Sequence, residues 1–218
     1  MKRPPAYLVI GAGRFGNRAA SRLVDQDPGS RIVVVDREET ALRRLPRGIT
    51  SRLGDGVSLL HRSLTDDEEI FDWIVPAVPF HLAFEFILGE LAPLGARRSA
   101  APDLPGLPNP SRGKAGDLCT SLASFLCPDD CVEPEGHCTA TGEKRIRDLV
   151  EKLKDATGPS ESSVIRSHQL GPGVGGILRE DLLEALRTIS LRRPPDRPLL
   201  ISTACRCHGI VSALTFNP

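Results

Sequence analysis

The sequence has no excess charge of either sign: 28 Lys plus Arg residues are balanced by 28 Asp plus Glu. A chain without a basic face has no electrostatic footprint for nucleic acid or an anionic membrane, so neither is expected as a partner. Long apolar runs are missing as well. The strongest apolar stretch, Ile74 to Leu88, is interrupted by Pro76, Pro79, His81 and Glu85 and cannot span a bilayer. No secretory leader is expected, because the basic start Met1-Lys-Arg-Pro-Pro leads straight into a strand-like run and a glycine turn. Internal repeats are absent. These absences imply a soluble, cytoplasmic protein with no direct membrane insertion. In that reducing compartment the six cysteines read as metal ligands, reactive thiols or core residues before they read as disulfides. The length suits one ample core, and a single domain over residues 1–218 with an insertion is expected.

The chain does contain a glycine fingerprint. Leu8-Val-Ile10 reads as a buried strand and is followed by Gly11-Ala-Gly13-Arg14-Phe15-Gly16. About twenty residues on, the run Arg31-Ile-Val-Val-Val-Asp36 ends in an acid. Gly11 allows the tight turn, Gly13 lets backbone approach a pyrophosphate, and Gly16 lets the next helix pack close on the strand. A helix beginning near Arg14 would aim its free N–H groups and positive dipole end at the phosphates. Asp36 would accept from both ribose hydroxyls and repel a 2′-phosphate, which favours NAD(H) over NADP(H). Arg37 argues the other way, since an arginine there can hold a 2′-phosphate. The plainer alternative is a glycine-rich turn in an α/β protein that binds no nucleotide.

The rest of the first half alternates strands and helices. Ala19, Ala20, Leu23 and Val24 form one helical stripe. A short helix is expected over Glu38 to Leu45, a strand over Ile49 to Leu53, and another over Phe71 to Val75 after the acidic run Asp66 to Glu69. A helix is expected from Pro79 to Leu91. Residues 93–118, rich in Pro and Gly, read as a long loop, and residues 96–142 as an inserted region. Beyond it, the pattern predicts a helix over Glu143 to Ala156 with Ile146, Leu149, Val150 and Leu153 on one face, stopped by Gly158-Pro159. A strand over Ser163 to Leu170, a helix over Glu180 to Ile189 and a last strand over Leu199 to Ala204 follow. The fold class is therefore α/β: a Rossmann-like, doubly wound, mostly parallel sheet with a Pro/Gly- and Cys-rich insertion.

The first ninety or so residues resemble the nucleotide-binding domain of potassium-conductance regulators, the RCK or TrkA-N type. The likeness rests on Gly11-Ala-Gly13-Arg-Phe-Gly16, on Val35-Asp36-Arg37, and on Leu53-Gly54-Asp55 followed by Val57 to Leu64. It implies binding of NAD(H) or another adenine nucleotide, with Gly54 and Asp55 added to the cofactor-binding residues, and the gating of a transport partner. Asp72-Trp-Ile-Val-Pro-Ala-Val-Pro79-Phe-His81 is similar, more loosely, to a segment of saccharopine dehydrogenase-type oxidoreductases that runs past the nicotinamide.

Cys127-Pro-Asp-Asp-Cys131 and Cys138 place three thiols on a turn-rich stretch. Three thiolates gathered without a cation would repel one another, so a metal is a natural reason to gather them. Zn²⁺ is the first candidate and an iron–sulfur cluster the second. Cys207 is taken as the fourth ligand, with Cys119, His137, Cys205 and His208 as alternatives. The plainer reading is ordinary cysteines in a loop and a core.

Ligands of open α/β sheets bind outside the carboxyl ends of the strands. Gly11–Gly16, Asp36, Gly54-Asp55, Pro76–His81, His168–Gly176 and Cys205–His208 are all expected there. On that basis His81 and His168 are candidate catalytic acid–base groups, against local hydrogen-bonding roles for each. Gly171 to Gly176 reads either as an anion cradle before a helix or as a tight connection, and it lacks the Lys-Ser/Thr ending of a nucleoside-triphosphate loop. Trp73 reads as core. The combined expectation is an NAD-dependent oxidoreductase acting on a small molecule and carrying a cysteine-bound metal. The alternative is a nucleotide-sensing module serving a membrane transporter subunit. A homodimer is compatible with either.

Overall fold

Four short runs of β-branched and aliphatic residues make the parallel heart of the N-terminal part. In the computed structural model, which describes residues 3–65, 69–158, 162–192 and 197–216, the chain opens with β1 (Ala6–Ile10), α1 (Arg14–Gln26), β2 (Arg31–Asp36), α2 (Glu39–Leu42), β3 (Thr50–Leu53), α3 (Gly56–Thr65), β4 (Trp73–Pro76) and α4 (Leu82–Leu91). It continues through β5 (Ala96–Ser99), β6 (Ser111–Arg112), β7 (Leu118–Ser121), α5 (Leu149–Thr157), β8 (Ser162–Arg166), β9 (His168–Gly171), β10 (Val174–Leu178), α6 (Arg179–Ser190), β11 (Leu199–Ala204) and β12 (His208–Phe216). Among the described residues no helix is long and apolar enough to cross a membrane.

The chain divides into two compact units, Met1–Leu82 with His168–Glu180, and Ala83–Ser167 with Asp181–Pro218. Residues 96–142 lie in the second unit, so they are not an insertion into the first sheet as the composition suggested. The Pro/Gly-rich stretch hides β5, β6 and β7; β6 pairs with the neighbouring β7, while β5 and β7 pair with β12, about a hundred residues downstream.

In the first unit the sheet order is β3-β2-β1-β4-β10-β9. β3, β2, β1 and β4 are mutually parallel, while β10 runs antiparallel to β4 and to β9. β1 is buried along its whole length because it has a strand on each side and a helix against it. Leu8 and Val9 are wholly buried, and each contributes about 1.5–3 kcal/mol of apolar burial. The expected helical stripe holds: Ala19, Ala20 and Leu23 of α1 are buried with Tyr7, Val9 and Val34. This is the α/β, Rossmann-like arrangement expected from the alternating pattern.

The second unit is built on the nine-residue β12. It pairs antiparallel with β11 on one side and with β7 and then β5 along the other. Among the described residues, β8 and β11 are its one parallel pair. α5 packs against β8 and β11, and Leu149 and Leu153 join Leu200 and Val211 in the core.

Several local expectations are corrected. The helix expected from Glu143 starts at Leu149, because the Asp148 side chain caps it by accepting from the Glu151 N–H at 3.0 Å. Ile146 is accordingly 96% exposed rather than on the apolar face. The strand expected over Ser163 to Leu170 is two strands in different sheets, parted at Ser167, whose N–H bonds the Ala204 carbonyl. Pro79 lies ahead of α4 rather than at its first position. β11 is not the last strand, since β12 follows it. Most of the acidic run Asp66 to Glu69, and Pro159 of the expected helix stop, lie outside the described residues.

Candidate functional site

The glycine turn joins β1 to α1 with the close approaches its glycines permit. The Gly11 N–H bonds the Val35 carbonyl at 2.8 Å, and Gly11 has a φ of +103°. A side chain there would stand 2.4 Å from the Ala77 carbonyl oxygen, and one at Gly16 would stand 1.8 Å from that of Gly11. Both positions therefore need glycine. At Gly13 a Cβ would meet nothing within 4 Å, so this position faces open space. α1 starts at Arg14, as expected, with Gly13 as its N-cap and no side chain bonded to its first amides. That leaves an anion-attracting helix end facing the same space. Phe15 is 58% exposed on the first turn, flanked by the guanidinium groups of Arg14 and Arg18 at 5.8 and 5.7 Å.

Asp36 ends β2. Its Oδ2 accepts from the Ala12 N–H at 2.5 Å and its Oδ1 from the Glu38 N–H at 2.8 Å. The carboxylate thus fixes the glycine turn from the neighbouring strand. Asp55 caps α3, accepting from the Ser58 N–H at 2.7 Å and the Ser58 hydroxyl at 2.8 Å. The bond from the Ser58 backbone holds its carboxyl below the usual range, with the Ser58 hydroxyl and Arg37 adding to the effect against a partial loss of water. Arg37 donates to Asp55 from Nε at 2.9 Å and also from its NH2 group. This pairing occupies the guanidinium that could otherwise hold a 2′-phosphate.

Two cavities flank the turn. One of about 160 Å³ is bordered by Gly11, Asp36, Arg37, Gly54, Asp55, Val78 and Phe80. The other, of about 360 Å³, is bordered by Gly13, Arg14, Phe15, Val75 to Pro79 and Gly173 to Gly175. The cofactor-binding residues expected from the sequence all border one or the other except Gly16, which sits against Gly11. Val78 and Phe80 were not singled out as cofactor-binding residues, although the segment Pro76–His81 was expected at this edge.

The histidines stand elsewhere. His81 is 4% exposed just before α4, and neither it nor His168 is among the residues lining the two cavities. His168 starts β9 opposite Gly176 and meets Trp73 edge-on, with ring centroids 5.5 Å apart. Gly176 directly precedes Ile177, the partner of Ile74 on β4, so the backbone of His168 is level with the middle of β4 rather than with its amino end. Gly171 to Gly176 is the β9–β10 hairpin connection and opens no helix. Its Gly173 to Gly175 segment does border the larger cavity. Cys205 to His208 is the β11–β12 connection of the other sheet, in the other unit. The single edge expected to collect all these loops is therefore not formed, because the chain builds two sheets.

In the second unit, Cys127 Sγ lies 3.5 Å from His208 Nε2, and Cys205 Sγ lies 3.8 Å from His208 Nδ1. The N–H groups of Cys207 and His208 donate to Cys205 Sγ at 3.4 and 3.3 Å. Burial pushes the Cys205 thiol up to about 12, helped by the Glu133 carboxylate and opposed by those amides. Burial also raises Cys207 to about 12, with Arg145 opposing and Glu133, Cys131 and Cys127 adding. Cys127 is raised by burial, then by Cys131 and Cys138. Cys138 is lowered to about 7 by bonds from the Thr141 hydroxyl and from the Thr141 and Ala140 amides. Loss of surrounding water lowers His208. Cys119, on β7, borders a cavity shared with Cys205 and His208, and burial and Asp117 raise it. Among the described residues, no three His, Cys, Asp or Glu side chains stand together in a geometry that holds a metal ion.

The parallel order β3-β2-β1-β4, the glycine turn and the acid at the end of β2 define the first unit as a nucleotide-binding Rossmann module. Residues 7–60 match the TrkA-N domain family, which bears out the resemblance seen in the glycine and Val35-Asp36-Arg37 motifs. Residues 80–217 match a second family, AF_1314_C, described as "Uncharacterized protein, C-terminal domain", and the chain belongs to that family. A protein of Archaeoglobus fulgidus described as "Uncharacterized protein" is similar along nearly its whole length. It is 26% identical over 222 residues, spanning 95% of this chain and 98% of that protein.

Proposed function

We propose that the chain is an NAD(H)-responsive regulatory protein, in which occupancy of the first unit alters association with a partner. Preference for NAD(H) is supported by Asp36 beside the smaller cavity and by Arg37 being drawn to Asp55. The observation that carries the regulatory reading is the lining of the larger cavity. It consists of backbone, glycine and apolar side chains, with Arg14 as the only ionisable group. Arginine stays charged and is a poor proton-transfer group, whereas most hydride transfers to a carbonyl need a proton donor close by. Such a wall suits holding a dinucleotide more than turning it over. By analogy with the potassium-conductance regulators, the partner is a membrane transport protein.

The test is limited proteolysis and hydrogen exchange of the full chain with and without NADH and NAD⁺, run beside an NADH-oxidation screen of oxo-acids, aldehydes and imines. Protection of Gly11–Gly16 and Asp36–Gly56 by nucleotide, with no turnover, is the expected result. Sustained NADH oxidation with any of these substrates would overturn the regulatory reading and restore the oxidoreductase one.

A further inference from the structure

The thiols and imidazole of the second unit lie outside the nucleotide module and have no part in the function proposed above. Residues 122–148 contain no helix or strand, only the isolated bridge between His137 and Lys144. A stretch of that length without regular structure is usually functional or held by something other than backbone pairing. It carries Cys127, Cys131 and Cys138, and it meets the β11–β12 connection that carries Cys205, Cys207 and His208.

Three observations point to a cation. First, Cys127 Sγ and His208 Nε2 stand 3.5 Å apart. A tetrahedral zinc, with Zn–S near 2.3 Å and Zn–N near 2.0–2.1 Å, puts a sulfur and a nitrogen ligand about 3.6 Å apart. Second, further thiols are within reach. Cys205 Sγ lies 3.8 Å from the same imidazole and accepts two backbone N–H groups, the outer-sphere support a bound thiolate uses. Cys131 and Cys207 are close enough to feel the charge of Cys127 and of each other. Third, Glu133 is 9% exposed and lies against Cys205, and its Oε1 has no hydrogen-bond partner. A buried, unpartnered carboxylate oxygen is costly unless a positive charge offsets it. Arg145 is the cation facing the cluster, through Cys127, Cys207 and His208.

We propose that this cluster binds one Zn²⁺ through Cys127 and His208 Nε2, completed by two thiolates from among Cys131, Cys205 and Cys207. Only two ligands stand at the bound separation in this structure, so the ion would draw the others in by changes of side-chain torsion. Four protein ligands make a closed, structural site. It would pin the irregular Cys127–Cys138 segment to the β11–β12 hairpin. The ligand set keeps Cys127 from the sequence-based one and adds His208, while Cys138 gives up its place.

The test is elemental analysis of the full chain purified without chelator, with Cys119→Ser as a control at a thiol that borders the same cavity as Cys205 and His208 but is not among the proposed ligands. Wild type and Cys119→Ser should each carry about one zinc per chain, as a single closed site requires. Cys127→Ser and His208→Ala should each lose nearly all of it. Because a ligand change can unfold a loop by itself, chelator-stripped wild type is also titrated with Co²⁺. A thiolate-to-cobalt charge-transfer band displaced by one equivalent of Zn²⁺ is expected. Zinc retained by either variant, no cobalt band, or iron with a visible absorbance in place of zinc would overturn the proposal. None of these readouts involves nucleotide, so the outcome is separate from that of the regulatory reading.

Discussion

Gly13 and Gly16 lie three residues apart in one turn, yet the structure gives them separable duties. A methyl group at Gly16 would stand 1.8 Å from the backbone oxygen of Gly11. Backbone cannot step aside cheaply, so Gly16→Ala must lift α1 from β1. Overpacking of this kind costs typically about 1–3 kcal/mol, and the upper end is expected here. At about 2–4 °C per kcal/mol for a chain of this size, Tm should fall by roughly 6–12 °C. A side chain at Gly13 would meet nothing within 4 Å, and its φ of −65° is open to any residue. Gly13→Val should cost only about 1 kcal/mol, as a poor helix cap. It fills the space through which phosphate would reach the uncapped amides of α1. Losing even one charge-assisted hydrogen bond, worth about 1.5–3 kcal/mol, weakens binding roughly 10- to 100-fold. Differential scanning calorimetry and titration with NADH separate the two effects. A folded Gly13→Val protein that binds NADH as tightly as wild type would refute the placing of the pyrophosphate over Gly13. An unchanged Tm for Gly16→Ala would refute the steric argument.

Asp36→Ala removes the acceptor for the Ala12 and Glu38 amides as well as the ribose partner; NAD⁺ affinity should fall at least about tenfold, with the preference over NADP⁺ relaxed in paired calorimetric titrations. Asp55→Ala removes the cap of α3 at a cost of about 1 kcal/mol, read from urea unfolding. Because the Asp55 carboxyl is depressed below its ordinary 3.8 in the folded chain, the charge-dependent part of that difference should be complete above about pH 4. It should vanish as pH falls through the depressed value, and a difference that grows on acidification would contradict the linkage. His168→Ala should cost about 0.5–1.5 kcal/mol through its edge-on contact with Trp73 and leave NADH affinity within twofold. A large loss of affinity would return His168 to the binding site.

Local chemistry was legible where it decided structure by itself. The run Arg31 to Asp36 is a strand with those bounds because β-branched residues fill it and a turn precedes it. The start of α1 follows from Gly13 and Arg14. Periodicity misplaced the start of α5 because Ile146 continues the spacing of Leu149 and Leu153, whereas Asp148 sets the boundary by capping. The split at Ser167 leaves no local mark. Ser163 to Leu170 looks continuous, and only the partners β11 and β10 show that its halves belong to different sheets. β12 has no clear strand signature at its start, because it begins at His208 directly after the cysteine-bearing connection Cys205–Cys207. With that strand unread, the pairing that gathers β5, β7 and β11 into a second sheet was hidden. The loops were then assigned to a single sheet edge. Glu133 gave no signal at all, since an acid in a polar loop is ordinarily solvated and this one is buried by contacts distant in sequence.

The central claim is that the first unit binds NAD(H) through the glycine turn with Asp36 on the ribose. Isothermal titration of the purified full chain with NADH and with NADPH tests it most directly. One NADH per chain, bound at least about tenfold more tightly than NADPH, is the result expected, because one lost charge-assisted contact is worth that much or more. No measurable binding of either dinucleotide, or NADPH bound as tightly as NADH, would contradict it.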